Sequence, residues 1–195
     1  MQYANKYRFF ASSPAASPEK PTTKAIVLDC EMAEVKGLSS EVVQVCAVDY
    51  LTGTVLLNKL VDPGEKVYDW RPEIHGITHA TMQEAVSQGL ALAGWTEARV
   101  ELWKLLDEDT ILVGQALQHD LKALRMVHPR VVDSAILAKT HSARRGTGTN
   151  SACKKFAMNC LTWRSEIMKE GYMTALKTFL PQEKSFCGAC RTKTS

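Results

Sequence analysis

The sequence predicts a mixed α/β domain, and three observations lead there. Residues 24–63 hold three apolar, β-branched runs, "KAIVLD", "EVVQVCAVDY" and "VLLNKLVDP", with the tight turn "LTGT" between the last two. That spacing is an antiparallel meander. Residues 79–109 then switch to a helical pattern, and beyond them short apolar runs alternate with helical ones. Strands that first meander and then alternate with helices argue a mixed α/β layer.

The elements follow in order. Residues 1–23 are rich in Pro, Ser and Ala and read as a linker-like segment. Its Lys6, Arg8 and serines, with no acid before Glu19, also suit a mitochondrial presequence. Strands are predicted over 24–29, 41–50 and 55–63. The stretch 79–109 is predicted helical, interrupted near Gly89 and Gly94, with Val100, Leu102, Trp103, Leu105 and Leu106 on its apolar side. "TILVG" (110–114) reads as a short buried strand. "QHDLKALRMV" (118–127) starts a helix with Leu121, Leu124 and Val127 on one face. "PRVVDSAIL" (129–137) is a last strand running into a turn or helix, and "ARRGTGTNS" (143–151) is a loop.

Composition bounds the function. The chain has 195 residues, enough for one domain with a substantial core and tails to spare. A net charge of +3 is too mild to announce a nucleic-acid binder, although the region from Lys139 onward is basic and holds no Asp. No apolar run approaches the length of a membrane span, so no membrane partner is expected. Six cysteines without a secretory signal suggest reduced thiols. Cys30 and Cys46 lie in apolar strands and read as buried. Cys187 and Cys190 form a C-x-x-C, with Cys153, Cys160 and His141 upstream at poor spacing for a zinc site.

The chemistry begins at the end of the first strand, "VLDCEM". Positions i and i+2 share a strand face, so Asp29 and Glu31 point together and Cys30 points away. Two like charges side by side raise each other's pKa unless something neutralises them. A divalent cation does so, and oxygen ligands suit Mg²⁺ or Mn²⁺. Alone, such a pair is as readily two solvated acids at a strand end. Asp120 adds weight, because it opens a helix just past a buried strand. Three carboxylates from separate elements can converge on two metals, an arrangement that serves phosphoryl hydrolysis.

Taken together, "VLDCEM", "YDWRPEIHGIT", "LVGQALQHDLKAL" and "VVDSAIL" resemble, in that order, the DEDD superfamily of 3′-5′ exonucleases. The similarity is greatest to the eukaryotic RNA exonuclease group that includes the interferon-stimulated and yeast-type ribosomal-RNA-processing exonucleases, and it covers about residues 24–140. It implies a ribonuclease H-like fold, a five-stranded mixed sheet flanked by helices. It implies Asp29, Glu31 and Asp120 as catalytic metal ligands for two divalent ions, Mg or Mn. Met32 is implied at the terminal nucleotide and Arg71 near its sugar, although composition alone makes Met32 a core residue and Arg71 a surface charge. Asp133 reads as structural. The expected substrate is the 3′ end of RNA or other single-stranded nucleic acid, and the expected compartment is the nucleus or nucleolus.

The chain departs from that family in one place. The third motif, His-x-x-x-x-Asp, supplies a general base and a fourth acid, yet no Asp follows Asp133. Tyr172 and Lys177 stand where that His and Asp are expected, and a cation at a metal position repels the metal. Sliding the codons of "YMTALKTFLPQE" by two bases forces an Asp from the ATG of Met173 and permits His-Asp-Cys-Leu-Glu-Asp. The chain is therefore read as a linker (1–23), an exonuclease-like domain (24–151) and an atypical, out-of-frame basic tail (152–195), the C-terminal part being divergent or truncated. The alternatives are a non-catalytic nucleic-acid-binding module with the same fold and a zinc-stabilised interaction protein built on the C-terminal cysteines.

Overall fold

The computed structural model describes residues 9–19, 22–36 and 39–136. Nine strands and four helices follow one another there: β1 (Ala11–Ser12), β2 (Ala25–Val35), β3 (Ser39–Asp49), β4 (Val55–Asp62), β5 (Val67–Asp69), α1 (Pro72–His75), α2 (His79–Ser87), β6 (Leu92–Ala93), α3 (Gly94–Trp103), β7 (Ile111–Gly114), α4 (Gln118–Ala123), β8 (Met126–Val127) and β9 (Val131–Asp133).

The expected five strands form the sheet in the order β4-β3-β2-β7-β9, with two short additions: β6 on the β4 edge and β5 paired with β2. β2, β3 and β4 are antiparallel, as a meander requires, whereas β2-β7 and β7-β9 are parallel. The expected mixed sheet flanked by helices is therefore present.

β2 and β3 run longer than their apolar stretches because each satisfies the other's backbone from Ile26↔Asp49 to Val35↔Ser39. Ile26, Leu28 and Cys30 alternate into the main core, where they meet Val42, Val45, Ala47, Leu102, Leu106, Leu112, Leu117 and Leu124. A bulge beside Glu31 and Met32 bends the pair. Beyond it, Ala33 and Val43 enter a second cluster with Ile77 and Met82.

The interruptions expected at Gly89 and Gly94 are both present. Both glycines have positive φ, and the two residues of β6 between α2 and α3 pair with the end of β4. Two expected apolar positions differ. Val100 is exposed, because the buried stripe of α3 runs through Ala98 and Leu102, and a residue two places from Leu102 faces the other way. Val127 is exposed as well: α4 stops at Ala123 with Leu124 as its cap, and Met126 and Val127 become a strand.

That strand pairs in parallel with β1, inside the segment read as a linker. Residues 11–13 are thus attached to the domain despite their composition. The Ser13 hydroxyl lies 2.7 Å from His128 Nδ1, and His128 Nε2 lies 2.7 Å from the Thr110 carbonyl. A carbonyl only accepts, so in the neutral ring Nε2 carries the proton and Ser13 donates to Nδ1. Burial holds the pKa of His128 below its ordinary value and favours that neutral form. Among the described residues no helix is long and apolar enough to cross a membrane.

Candidate active site

Asp29 lies midway along β2, opposite Cys46 of β3, and is half-buried. Glu31 follows on the same strand face, opposite Gln44, and is buried. The acids expected to point together therefore share a face, immediately before the bulge.

Asp120 reaches the same place from α4, and the local sequence explains how. β7 ends at Gly114, where the chain passes over β2. A Cβ added there would lie 2.8 Å from the Leu28 carbonyl oxygen and 2.6 Å from Leu117 Cδ2. The turn that follows holds Ala116 at φ 55°, a conformation L residues rarely adopt. Asp133 stabilises it: its carboxylate accepts from the backbone N–H groups of Ala116 and Leu117, both at 3.0 Å, and of Ala135 at 2.8 Å. The structural role read for Asp133 is thus visible as a clamp on the entry to α4. Gly114→Ala is expected to destabilise the fold by about 1–3 kcal/mol, since the carbonyl of a central strand cannot give way cheaply. A urea midpoint unchanged from wild type would show that the turn is softer than this.

Within α4, Asp120 is buried while its neighbour His119 is exposed. Asp120 Oδ1 accepts a hydrogen bond from the Cys30 backbone N–H at 2.8 Å. That bond brings the carboxylate to the segment of β2 between Asp29 and Glu31. Burial first and the charge of Asp29 second push the Asp120 pKa up to about 7. The Cys30 thiol is also raised, first by burial and then by Asp120 and Asp29, and Cys46 is pushed up to about 12 by burial and Asp29. Both thiols are therefore inert at neutral pH, as expected of buried cysteines.

Asp29 and Asp120 are two hard-oxygen donors held close enough to repel, and a divalent cation would relieve that repulsion. Among the described residues no three His, Cys, Asp or Glu side chains gather so as to hold an ion. The donors fit a metal as an open set, in which Asp29 and Asp120 form the pair and Glu31 is the third carboxylate on the same strand.

Arg71 stands at the far end of β2. β5 pairs with β2 at Glu34 and Val35, and Arg71 Nη2 lies 3.1 Å from Glu34 Oε2. Its backbone N–H donates to Asp69 Oδ1 at 2.9 Å, and the residue sits in the left-handed region with φ 48°. Met32 packs partly against the main core, as its composition suggested. His75 has its pKa lowered by burial and lies against the Met32 backbone. Asp29, Glu31 and Asp120 thus occupy one stretch of the sheet, and Met32 and Arg71 the adjoining one. Sequence reading missed the Cys30 N–H that orients Asp120 and the Glu34 that holds Arg71. A backbone donor leaves no signal in sequence, and Glu34 is one acid among many. Tyr172, Lys177, His141 and the cysteines Cys153, Cys160, Cys187 and Cys190 lie outside the described residues, as does the tail 152–195.

Comparison with known proteins shows the family. A family model described as "Exonuclease" (RNase_T) matches residues 26–161. The chain is 33% identical over 155 residues to "Small RNA degrading nuclease 2" of Arabidopsis thaliana, covering 78% of this chain and 32% of that protein. It is 36% identical over 117 residues to "RNA exonuclease 4" of Saccharomyces cerevisiae, covering 59% and 37% respectively. The chain thus spans about a third of the length of these relatives. Among solved structures, the Pan2 catalytic unit of Neurospora crassa, which holds a protease and a nuclease domain, has the same fold. It has a TM-score of 0.52 at 17% identity, over 88% of this chain and 32% of that one.

Proposed function

The chain belongs to the exonuclease family matched over residues 26–161, and on that premise we propose that it removes nucleotides from the 3′ end of RNA, releasing nucleoside 5′-monophosphates. The observation that carries this reading is the Asp120 carboxylate, buried on the Cys30 N–H beside Asp29, where burial first and the charge of Asp29 second raise its pKa to about 7. Exonucleases of this family generally use divalent metal ions, which activate the attacking water and steady the leaving oxygen. We assign two Mg²⁺ or Mn²⁺ ions here, which the repelling pair Asp29 and Asp120 would hold, with Glu31 as the third carboxylate on β2.

The protein's own groups prepare that site. The Cys30 N–H holds one oxygen of Asp120 in place, so the carboxylate need not reorganise when an ion arrives. Met32 offers an apolar edge to the terminal base. Arg71 is partly exposed and held by ion pairs of the weak, solvent-screened kind, so its guanidinium exchanges partners toward the sugar at little cost. The chain has no Asp after Asp133 to act as a fourth acid, and no His at the third-motif position to act as a base. Its activity is therefore reduced by several orders of magnitude relative to a complete site, because such groups act as one unit.

The test uses 5′-labelled single-stranded RNA with the purified chain in millimolar Mn²⁺. Slow shortening from the 3′ end, absent in Asp29→Asn, is expected, together with a Mn²⁺-dependent rise in melting temperature. Binding without shortening, and no thermal response to Mn²⁺, would replace this reading with a non-catalytic nucleic-acid-binding module, which the missing fourth acid favours. Sequencing the transcript across the codons for Thr147 to Thr178 addresses the tail directly. A slip near Ser151 restores the His and Asp, whereas a continuous frame leaves Tyr172 and Lys177 in their place.

A further inference from the structure

We propose that Arg125 is a positioning residue for Asp120, pinning the C-terminal end of α4 to β3 so that the Asp120 carboxylate is held against β2. The inference rests on the reading of Asp120 as a metal-binding carboxylate and adds a residue outside the acidic motifs.

α4 is a short helix that cannot hold its own orientation. Its entry is clamped by Asp133, and its middle touches β2 through the bond from Cys30 to Asp120. Its exit turns on Arg125. The Arg125 guanidinium meets the Glu41 carboxylate in a two-pronged pair, Nη1–Oε2 at 3.1 Å and Nη2–Oε1 at 2.5 Å. Glu41 is buried in β3 and is paired with Ala33 of β2, while Cys30 lies three residues earlier on β2. Asp120 and Arg125 therefore fasten one short helix to one strand pair at two places. The Asp133 clamp fixes only the entry, so the Arg125 pair is what fixes the exit of the helix relative to β3.

The backbone supports this reading. Arg125 follows the α4 cap in the left-handed region at φ 49°, a place where glycine is the usual residue. A branched-chain or long side chain there carries backbone strain that persists only where the surroundings enforce it. Here the surroundings do so. The Arg125 guanidinium stacks 4.3 Å from the Trp95 ring, and its carbonyl accepts from Arg99 Nη1 at 2.7 Å. Arg99 is itself stacked on Trp95 and Trp103 and also donates to the Phe9 carbonyl. The strained backbone is retained because the side chain it carries makes the bidentate pair, which glycine cannot.

The choice of variants follows from the strain. Arg125→Gly relieves the φ and removes the pin, so it is expected to fold. Arg125→Lys keeps the charge and loses the fork. Residue-resolved amide exchange of the full chain, without metal, reads the result at the Cys30 N–H, the group bonded to Asp120. In Arg125→Gly that amide is expected to exchange about tenfold faster relative to the amides of the β2–β3 ladder, with Arg125→Lys between it and wild type. Equal acceleration of the Cys30 and ladder amides would reduce Arg125 to general stability and overturn the proposal, as would Arg125→Lys behaving like Arg125→Gly. Because this readout needs neither metal nor nuclease activity, a failed RNA assay sinks the proposed function without deciding the pin.

Discussion

Asp120→Asn is expected to make the metal-free protein more stable at neutral pH and to abolish any metal-dependent nuclease activity. Burial and the charge of Asp29 hold the Asp120 carboxyl at about 7, against an ordinary value of 3.8. Below pH 3.8 it is protonated both folded and unfolded. Between 3.8 and about 7 the folded protein keeps a proton that the unfolded chain releases, so stability falls as pH rises through that window and stays low above it. The size is of order 2–4 kcal/mol at pH 8. Asparagine keeps an oxygen for the Cys30 N–H and cannot ionise, so the loss disappears. Urea titrations in EDTA at pH 4.5 and pH 8 check this: wild type should weaken between the two while Asp120→Asn should not. A variant weaker than wild type at both pH values would mean that the charged bond to Cys30 outweighs the repulsion. With Mn²⁺ present the order should reverse, because only the carboxylate gains from the ion.

Glu41→Ala is expected to cost about 3 kcal/mol of folding stability, the low end for breaking a buried ion pair because the Arg125 head keeps some solvent. The deletion leaves a guanidinium between Trp95 and β3 whose Nη2 has lost its carboxylate and whose Nη1 keeps only the Ala123 carbonyl at 3.4 Å. Glu41→Gln keeps acceptor oxygen and shape and should cost roughly half as much. Chemical denaturation of both variants at low and high salt decides it. Salt-insensitive losses are expected, since a buried pair is weakly screened. A loss below about 0.5 kcal/mol for Glu41→Ala would place the pair among surface ion pairs.

The placement of the candidate carboxylates was legible before the fold. Asp29 and Glu31 were legible because strand alternation places i and i+2 on one face whatever surrounds them. Asp120 was legible because an acid opening a helix after a buried strand stands at the sheet's end. The turn glycines between α2 and α3 were legible because positive φ selects glycine. Val100 was misplaced because the buried stripe of α3 runs through Ala98 and Leu102, and Val127 because periodicity does not show where an element stops. α4 stops early because Met126 and Val127 find strand partners in residues 11 and 12, more than a hundred positions away.

The sequence by itself determined the five main strands of the sheet, the helical stretch between them, the carboxylates available for chemistry and, by its resemblance, the family. The strands, the helical stretch and the carboxylates follow from local spacing and residue type. Only the tertiary structure decided that the Pro- and Ser-rich segment is attached through Ser13 and His128, that a backbone N–H of Cys30 aims Asp120, and that Glu41 buries its charge against Arg125. Each of those contacts joins residues far apart in the chain, and each exists because a buried polar group must find a partner in space, which no local pattern encodes.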